Sequence, residues 1–349
     1  MKNSIIINSL LEMNESERFY KEYDTAVKNG TLSALLSEIN LEEAERLSLL
    51  IPELGRVNPA SLSDSYITDA HLPYRTSVLI EKHNRYTPPF FHTHEFFEII
   101  YVVQGIAQHQ IFKQNLPLHK GDLCLVSPSV YHSIYVDDDD SIILNIMISR
   151  KRIADIFYNT LRSNSVISSF FNSSLYIQGY QDYLLFRTGD DLDIQSEMLS
   201  LYSEQMQIDS YTDNIISGML MVDFSRLVRL YQRTVETAPS AHQTEIYKNL
   251  ISYLMENLNT VTLHDVAEQM NYSTAYCSRY IKRLTGSSFT NLLQSLRFNR
   301  ACTMLETGNM SIQAISEQLG YENPENFMRA FKKKYHMTPS EYRLSKRDN

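Results

Sequence analysis

Tryptophan is absent from the 349-residue sequence, and cysteine is reduced to three distant residues, Cys124, Cys277 and Cys302. Three thiols with no CxxC spacing cannot form a disulfide framework and give no sign of a cysteine zinc site. No stretch of ~18 uncharged apolar residues occurs, which excludes a membrane-spanning helix. Walker-type phosphate loops and a Gly-x-Ser-x-Gly elbow are missing as well. The opening segment MKNSIIINSLLEMNESER meets acidic residues at Glu12 and Glu15 and offers no small-residue cleavage site. No export is expected, and the reducing cytoplasm is the expected compartment. What is present is ordinary: 43% of residues are apolar, enough for real cores and too many for a disordered chain. At ~100 to 200 residues per domain the length allows two or three domains.

Positive charge is scarce overall, 32 Lys+Arg against 41 Asp+Glu, but it is unevenly placed. Residues 244–349 hold 13 basic and 10 acidic side chains, a net of +3, which leaves 19 and 31, a net of −12, for residues 1–243. The basic third contains Arg279, Lys282, Arg283, Arg297, Arg300, Arg329, Lys332, Lys333, Lys334, Arg343, Lys346 and Arg347. Such clustering is what a polyanionic partner requires, although a solvated helical face gives the same pattern, so motifs must decide.

Residues 1–75 read as a largely helical extension, with Leu32, Leu35, Leu36, Ile39 and Leu41 at near-helical spacing before Pro52, Gly55 and Pro59 break the pattern. Residues 76–190 read as a β domain. The runs TSVLIEK, FFEIIYVV, IAQHQIF, DLCLVS, HSIYV and SIILNIMI are separated by turn signals at Gln104-Gly105, Lys120-Gly121-Asp122 and Asp137–Asp140, the signature of an antiparallel sandwich or barrel. Residues 191–238 read as helical, with Tyr211, Ile215, Ile216, Met219, Leu220, Leu227, Val228 and Tyr231 marking one amphipathic helix that could pack on the β domain or on a second copy. A polar linker, TVETAPSAHQ, leads into residues 239–349, which are helical to the end. The expected fold class is α+β multidomain, an antiparallel β-barrel with helices followed by an all-α domain.

The last hundred residues repeat. TLHDVAEQMNY (262–272) aligns with SIQAISEQLGY (311–321) at a shift of 49. One inserted residue then brings Arg279, Ile281 and Lys282 onto Arg329, Phe331 and Lys332. Each copy has the layout of a helix-turn-helix. In the first, Leu263, Val266, Ala267 and Met270 form the scaffold stripe and Ser273 can cap the second helix, with Tyr276, Tyr280, Ile281 and Leu284 expected inward and Ala275, Ser278, Arg279 and Lys282 outward. In the second, Ile312, Ile315 and Leu319 form the stripe, Gly320 supplies the turn, Asn323 caps and Pro324 opens the helix. Phe327, Phe331 and Tyr335 are expected inward, with Asn326, Arg329 and Lys333 outward. A major groove admits such a helix, where Arg pairs with guanine and Asn with adenine.

The segment SRYIKRLTGSSFTNLLQSLRFNRACTMLETGNMSIQAISEQLGYENPENFMRAFKKKYHMTPSEYR closely resembles the DNA-binding domain of the AraC/XylS family of bacterial transcription regulators, over about 100 residues. The resemblance implies two helix-turn-helix units joined by a linking helix, here about residues 289–306, that insert recognition helices into successive major-groove segments. It implies base-facing positions at Ala275, Ser278, Arg279, Glu325, Asn326 and Arg329, with Lys282, Lys332 and Lys333 completing the DNA-contacting set. Dimerisation through residues 191–233, a promoter-bound partner in RNA polymerase and activation more often than repression are further implications. The sequence departs from the family pattern at Ile281, where Phe is usual, and at His336, where Gly is common.

In the β domain His92, His94 and Glu98 sit two and four residues apart, so that in a strand all three share one face, and His132 follows a later strand. Three imidazoles and a carboxylate suit a divalent transition metal. The pattern His-x-His-x3-Glu-x6-Gly, ending at Gly105, resembles the first cupin motif, and Gly121, Pro128 and His132 resemble the second, with Val130 and Val136 as departures and Pro128 one residue closer to His132 than usual. Three readings stay open: polar groups of a pocket for a sugar or other small metabolite, ligands of a metal, or purely structural residues. His109 and His119 are weaker candidates, while Phe96, Phe97 and Tyr101 read as barrel packing. The leading expectation is an effector-responsive, DNA-binding regulator without enzymatic activity. The alternative is a metal-dependent cupin enzyme with an appended DNA-binding domain.

Overall fold

The computed structural model describes residues 2–55, 61–70, 76–156, 165–177, 179–238, 250–251, 253–307 and 310–347. They form two compact units, Met1–Arg152 with Gln181–Pro239 and Ile153–Tyr180 with Ser240–Asn349. This differs from the sequence-based division in three places. Residues 1–75 and residues 191–238 belong to the first unit rather than standing apart, and residues 153–180, expected within the β domain, belong with the C-terminal unit.

The first unit contains eleven strands among the described residues: β1 (Ser61–Leu62), β2 (Val78–Lys82), β3 (Thr93–His94), β4 (Phe97–Gln104), β5 (Ile106–Ile111), β6 (Gln114–His119), β7 (Asp122–Val126), β8 (His132–Tyr135), β9 (Ile142–Ile148), β10 (Tyr183–Arg187) and β11 (Glu236–Thr237). Six make an antiparallel sheet in the order β11-β10-β7-β4-β9-β2, three make a second in the order β6-β5-β8, and β1 pairs with β3 in parallel. Alternation along the strands builds the interior. Ile100 and Val102 of β4, Ala107 and Ile111 of β5, Cys124 and Val126 of β7 and Ile134 of β8 belong to one buried cluster drawn from both sheets, so the sheets close over a common core. Gly105 turns the chain from β4 into β5 at φ 79°, and a Cβ there would lie 2.0 Å from the Ser141 Oγ, so the position is closed to other residues.

Helices α1 (Lys2–Leu11), α2 (Glu15–Asn29), α3 (Leu32–Glu38), α4 (Leu41–Arg46) and α5 (Ser65–Asp69) precede and interleave with these strands. An ion cluster explains why the N-terminal helices join the β unit. Glu17, fully buried, caps its own helix through Asn14 and also accepts from Arg85 Nε at 2.8 Å and Lys82 Nζ at 2.6 Å. Burial alone would push the Glu17 carboxyl up; the Arg85 and Lys82 hydrogen bonds overcome that and hold it below its ordinary value.

Helices α8 (Leu192–Gln205) and α9 (Thr212–Tyr231) pack together, the latter being the amphipathic helix expected from sequence. It buries Ile216, Leu220, Phe224 and Leu227 and leaves Ile215, Val222 and Leu230 exposed. A short helix, α6 (Arg150–Ile156), contains the division between the two units.

The second unit begins with α7 (Val166–Tyr176), N-capped by Ser165, and continues with the repeated helices. A first scaffold helix (Leu263–Gln269), a first recognition helix (Thr274–Thr285), a linking helix (Phe289–Thr307), a second scaffold helix (Ile312–Gln318), a second recognition helix (Pro324–Tyr335) and a closing helix (Pro339–Arg347) follow in order. Phe298 and Leu305 of the linking helix, Ile315 and Leu319, Phe327 and Phe331, and Tyr342 make the second copy's core. Gly320 turns the second motif at φ 74°, and a Cβ there would meet the Asn259 carbonyl at 1.9 Å. Asn259 of the same unit thus abuts the turn, which explains a glycine where the first copy has Asn271 at φ 55°.

Candidate functional site

Two sets of residues carry chemistry, one in each unit. In the C-terminal unit both recognition helices are 12 residues long and start 50 residues apart, matching the repeat read from sequence. Their caps correspond: the Ser273 side chain accepts from Tyr276 N at 3.3 Å and the Asn323 side chain accepts from Glu325 N at 2.7 Å. The buried positions correspond too, Cys277 and Ile281 standing where Phe327 and Phe331 stand. These contacts fix the rotation of each helix, and with it the outer face.

Ala275, Arg279, Lys282, Glu325, Asn326, Arg329, Lys332 and Lys333 are exposed, and Ser278 is half-buried. Arg329 Nη2 donates to Asn326 Oδ1 at 2.9 Å, holding the two groups one helical turn apart as a single hydrogen-bonding surface. Tyr276 is a correction. Expected inward, it is 41% exposed, because the buried stripe runs through Cys277, Ile281 and Leu284 instead. Its ring lies 4.7 Å from Tyr272 and 5.9 Å from Tyr280, and Arg283 lies 5.3 Å above Tyr280. At an offset of 50, Tyr276 is the counterpart of Asn326 and Arg283 that of Lys333. The repeat itself, applied position by position, held the signal that finds both.

Part of the basic cluster is committed to the fold. Arg297 Nε donates to the Leu258 carbonyl at 2.9 Å beneath the Tyr321 ring, and burial pushes its guanidinium down. Arg343 Nη2 donates to the Met310 carbonyl at 2.6 Å, and Lys334 lies 5.5 Å from the Phe298 ring. The side chains of Lys346 and Arg347 lie outside the described residues.

In the β unit, His94, Glu98 and His132 offer ligand atoms all within 4.8 Å of one another. β3, β4 and β8 contribute one residue each, all less than one-tenth exposed. Glu98 Oε2 lies 3.6 Å from His94 Nε2 and 3.5 Å from His132 Nε2. His94 stacks on Phe96 at 4.6 Å, and its Nδ1 meets the Phe96 carbonyl at 2.7 Å. His132 Nδ1 meets His109 Nε2 at 3.0 Å. Burial is the largest influence throughout. It pushes the His132 imidazole well below its ordinary value and that of His109 to about 4. For Glu98 burial acts upward, but the His94, His132 and His92 rings prevail and hold the carboxyl far below the usual carboxylate range.

The structure reorders the sequence-based set. β3 ends at His94 and the chain bends before β4, so His92, His94 and Glu98 do not lie on one continuous strand. His92 is half-buried beside the group, its ring 4.7 Å from that of His132 and its Nδ1 3.2 Å from the Phe90 carbonyl. His109, ranked low from sequence, lies inside. Within β5 the buried residues are Ala107, His109 and Ile111, an alternation that aims His109 at the interior.

A closed antiparallel β unit with a buried polar centre, together with paired helix-turn-helix motifs, defines a two-part DNA-binding protein with a ligand-binding sensor fold. Comparison with known proteins agrees. Residues 266–345 match the family described as a helix-turn-helix domain and residues 77–150 the AraC-like ligand binding domain. The chain thus carries an AraC-like ligand binding domain N-terminal to a helix-turn-helix domain, and in this it resembles the AraC family of transcription regulators.

Among relatives, the raffinose operon transcriptional regulatory protein RafR of Pediococcus pentosaceus is 31% identical over 154 residues, 44% of this chain and 55% of that protein. The uncharacterized regulator YtdP of Bacillus subtilis is 32% identical over 114 residues, 32% of this chain and 15% of that protein. The transcriptional activator RhaR of Salmonella dublin is 24% identical over 74% of this chain and 89% of its own length. Among solved structures, the C-terminal domain of AraT from Geobacillus stearothermophilus is 34% identical over 29% of this chain and 84% of that one, with a TM-score of 0.28. ToxT of Vibrio cholerae is 16% identical over 76% of this chain and 97% of that one, with a TM-score of 0.30. No helix among the described residues is long and apolar enough to cross a membrane.

Proposed function

We propose that the protein regulates transcription, binding promoter DNA through both helix-turn-helix units and responding to a small ligand held by the β unit. The observation that carries this reading is the equivalence of the two recognition helices at an offset of 50, each exposing an arginine and a lysine at matching positions. Arg279 and Arg329 have the fork that pairs with guanine, Asn326 the amide that pairs with adenine, and Glu325 an acceptor for cytosine. Ala275 and Ser278 are small and let the helix backbone approach the groove. Lys282, Lys332 and Lys333 supply phosphate contacts that set affinity and salt dependence without reading sequence.

The effector class we favour is a sugar or related small metabolite, taken up around His92, His94, Glu98 and His132. RafR is named for a raffinose operon, which supports a saccharide. Two protomers would pair through α9, whose exposed Ile215, Val222 and Leu230 support the idea, and RNA polymerase would be met at the promoter. The relatives are named as regulators, which favours a regulator over a metal-dependent enzyme, and action on promoter DNA supports a cytoplasmic location.

The test is fluorescence anisotropy of the full chain on DNA selected from a random pool. Arg329→Ala is expected to cost ~1 to 3 kcal/mol and to relax base preference at one position, whereas Lys282→Ala weakens all DNA alike and lowers the salt slope by ~1. Equal losses for Arg329→Ala on selected and random DNA would remove it as a base reader. Absence of salt-dependent DNA binding by the full chain would overturn the regulator reading.

A further inference from the structure

The buried centre of the β unit has a defect that hydrogen bonding does not repair. His94 Nε2, Glu98 Oε2 and His132 Nε2 each lack a hydrogen-bond partner among the described residues, and these are the same three atoms that converge. The carbonyl of Phe96 can only accept, so the His94 proton sits on Nδ1, which donates to it at 2.7 Å. His94 Nε2 is then a bare lone pair facing a carboxylate oxygen 3.6 Å away, with both groups out of water. Two acceptors opposed in a low-dielectric interior are unfavourable unless a cation lies between them.

The spacing about Glu98 fits one. Ligand atoms bound at ~2.1 Å to a tetrahedral ion are ~3.4 Å apart; the two edges to Glu98 are 3.6 and 3.5 Å, and all three atoms lie within 4.8 Å of one another. We propose that His94, Glu98 and His132 hold a divalent first-row transition metal ion inside the β unit. Two imidazoles and one carboxylate favour zinc, iron or their neighbours over calcium or magnesium, which prefer all-oxygen shells. His109 is a positioning residue. Its Nε2 accepts from His132 Nδ1 at 3.0 Å, which directs the His132 Nε2 lone pair toward Glu98, the arrangement by which a second histidine orients a ligating one. His92 is not a ligand. The inference rests on the ligand-holding role proposed for the β unit and refines it: His94, Glu98 and His132 hold the ion, the small metabolite is taken up beside it near His92, and the site does not depend on DNA binding.

The test uses full-length, tag-free protein stripped with chelator and titrated with cobalt(II), whose visible d–d absorption reports bound imidazole and carboxylate, with elemental analysis of the zinc-loaded protein alongside. The expected result is about one ion per chain, at least 100-fold weaker binding in Glu98→Gln and His132→Asn, and wild-type affinity in His92→Ala. His109→Phe is expected to weaken binding ~10- to 100-fold and His109→Gln, whose carbonyl can accept the same hydrogen bond, to recover most of it. Circular dichroism in chelator shows which variants are folded, and only those are compared. Folded wild type that takes up no cobalt or zinc, or Glu98→Gln that binds as tightly as wild type, overturns the site. Anisotropy on the same samples tests DNA binding separately, so loss of one reading leaves the other standing.

Discussion

Glu17 illustrates how a single side chain can decide a domain boundary. It is buried with Arg85 and bonded to Lys82, so removing its charge leaves a buried guanidinium unpaired, a change that costs ~3 to 5 kcal/mol in comparable cases. Glu17→Gln is expected to lower the urea midpoint accordingly. Its pH dependence follows from the direction of its shift. The folded-state carboxyl titrates below its ordinary value of 4.5, so its contribution is complete above that value and is lost as pH falls through the lower folded-state value. Acid unfolding of Glu17→Gln is expected to be less steep than that of wild type. His336 carries strain of the opposite kind. It ends the second recognition helix at φ 59°, where the first helix ends on Gly286 at φ 69°. Replacing His336 with glycine is expected to stabilise the protein by about 1 kcal/mol in urea unfolding, since the left-handed region penalises a Cβ.

At the scale of elements, strongly periodic segments could be read from the sequence and irregular ones could not. Six β runs and both helix-turn-helix motifs were legible because apolar alternation and capping residues mark them. β6 was not, since Asn115 and Pro117 depress its strand signal; it sits at an edge, where proline is tolerated. In the candidate centre, Glu98, His94 and His132 were legible as motif residues, but the bend after His94 that puts Glu98 on a different strand from His94 has no sequence signature. His109 was hidden because contact across strands, not spacing along one, brings it to His132. The first recognition helix shows the same limit, where a one-residue error in rotation placed Tyr276 inside. Its exposed side chain, one helical turn before Arg279 and equivalent to Asn326, predicts a DNA contact. Tyr276→Phe is expected to weaken DNA binding by about 0.5 to 1.5 kcal/mol in anisotropy while leaving the unfolding midpoint unchanged. A buried tyrosine would reverse that pattern.

For the molecule as a whole, the chain order and the structural order differ. After β9 the chain enters the second unit, forms α7, and returns to the first to make β10. Within the second unit the Tyr176 hydroxyl accepts from Asn299 Nδ2 of the linking helix at 2.6 Å. Burial pushes the Tyr176 phenol up to about 12, so it stays protonated and neutral across the physiological range. Tyr176→Phe removes that acceptor and is expected to cost about 1 kcal/mol locally. Native-state hydrogen exchange should report faster exchange in residues 289–307 and no change in the β4 and β9 strands.

This excursion bears on how such proteins diversify. The backbone passes between the units at three places, after residues 152, 180 and 239, not only at the polar linker near residue 240. A recombination event in that linker would therefore transfer a DNA-binding half without α7 and leave behind a β half carrying a helix fitted to its former companion. Exchange of operator preference between lineages by a single crossover is disfavoured. Point substitution on the outer faces of the recognition helices, which disturbs neither core, is the easier route to a new promoter.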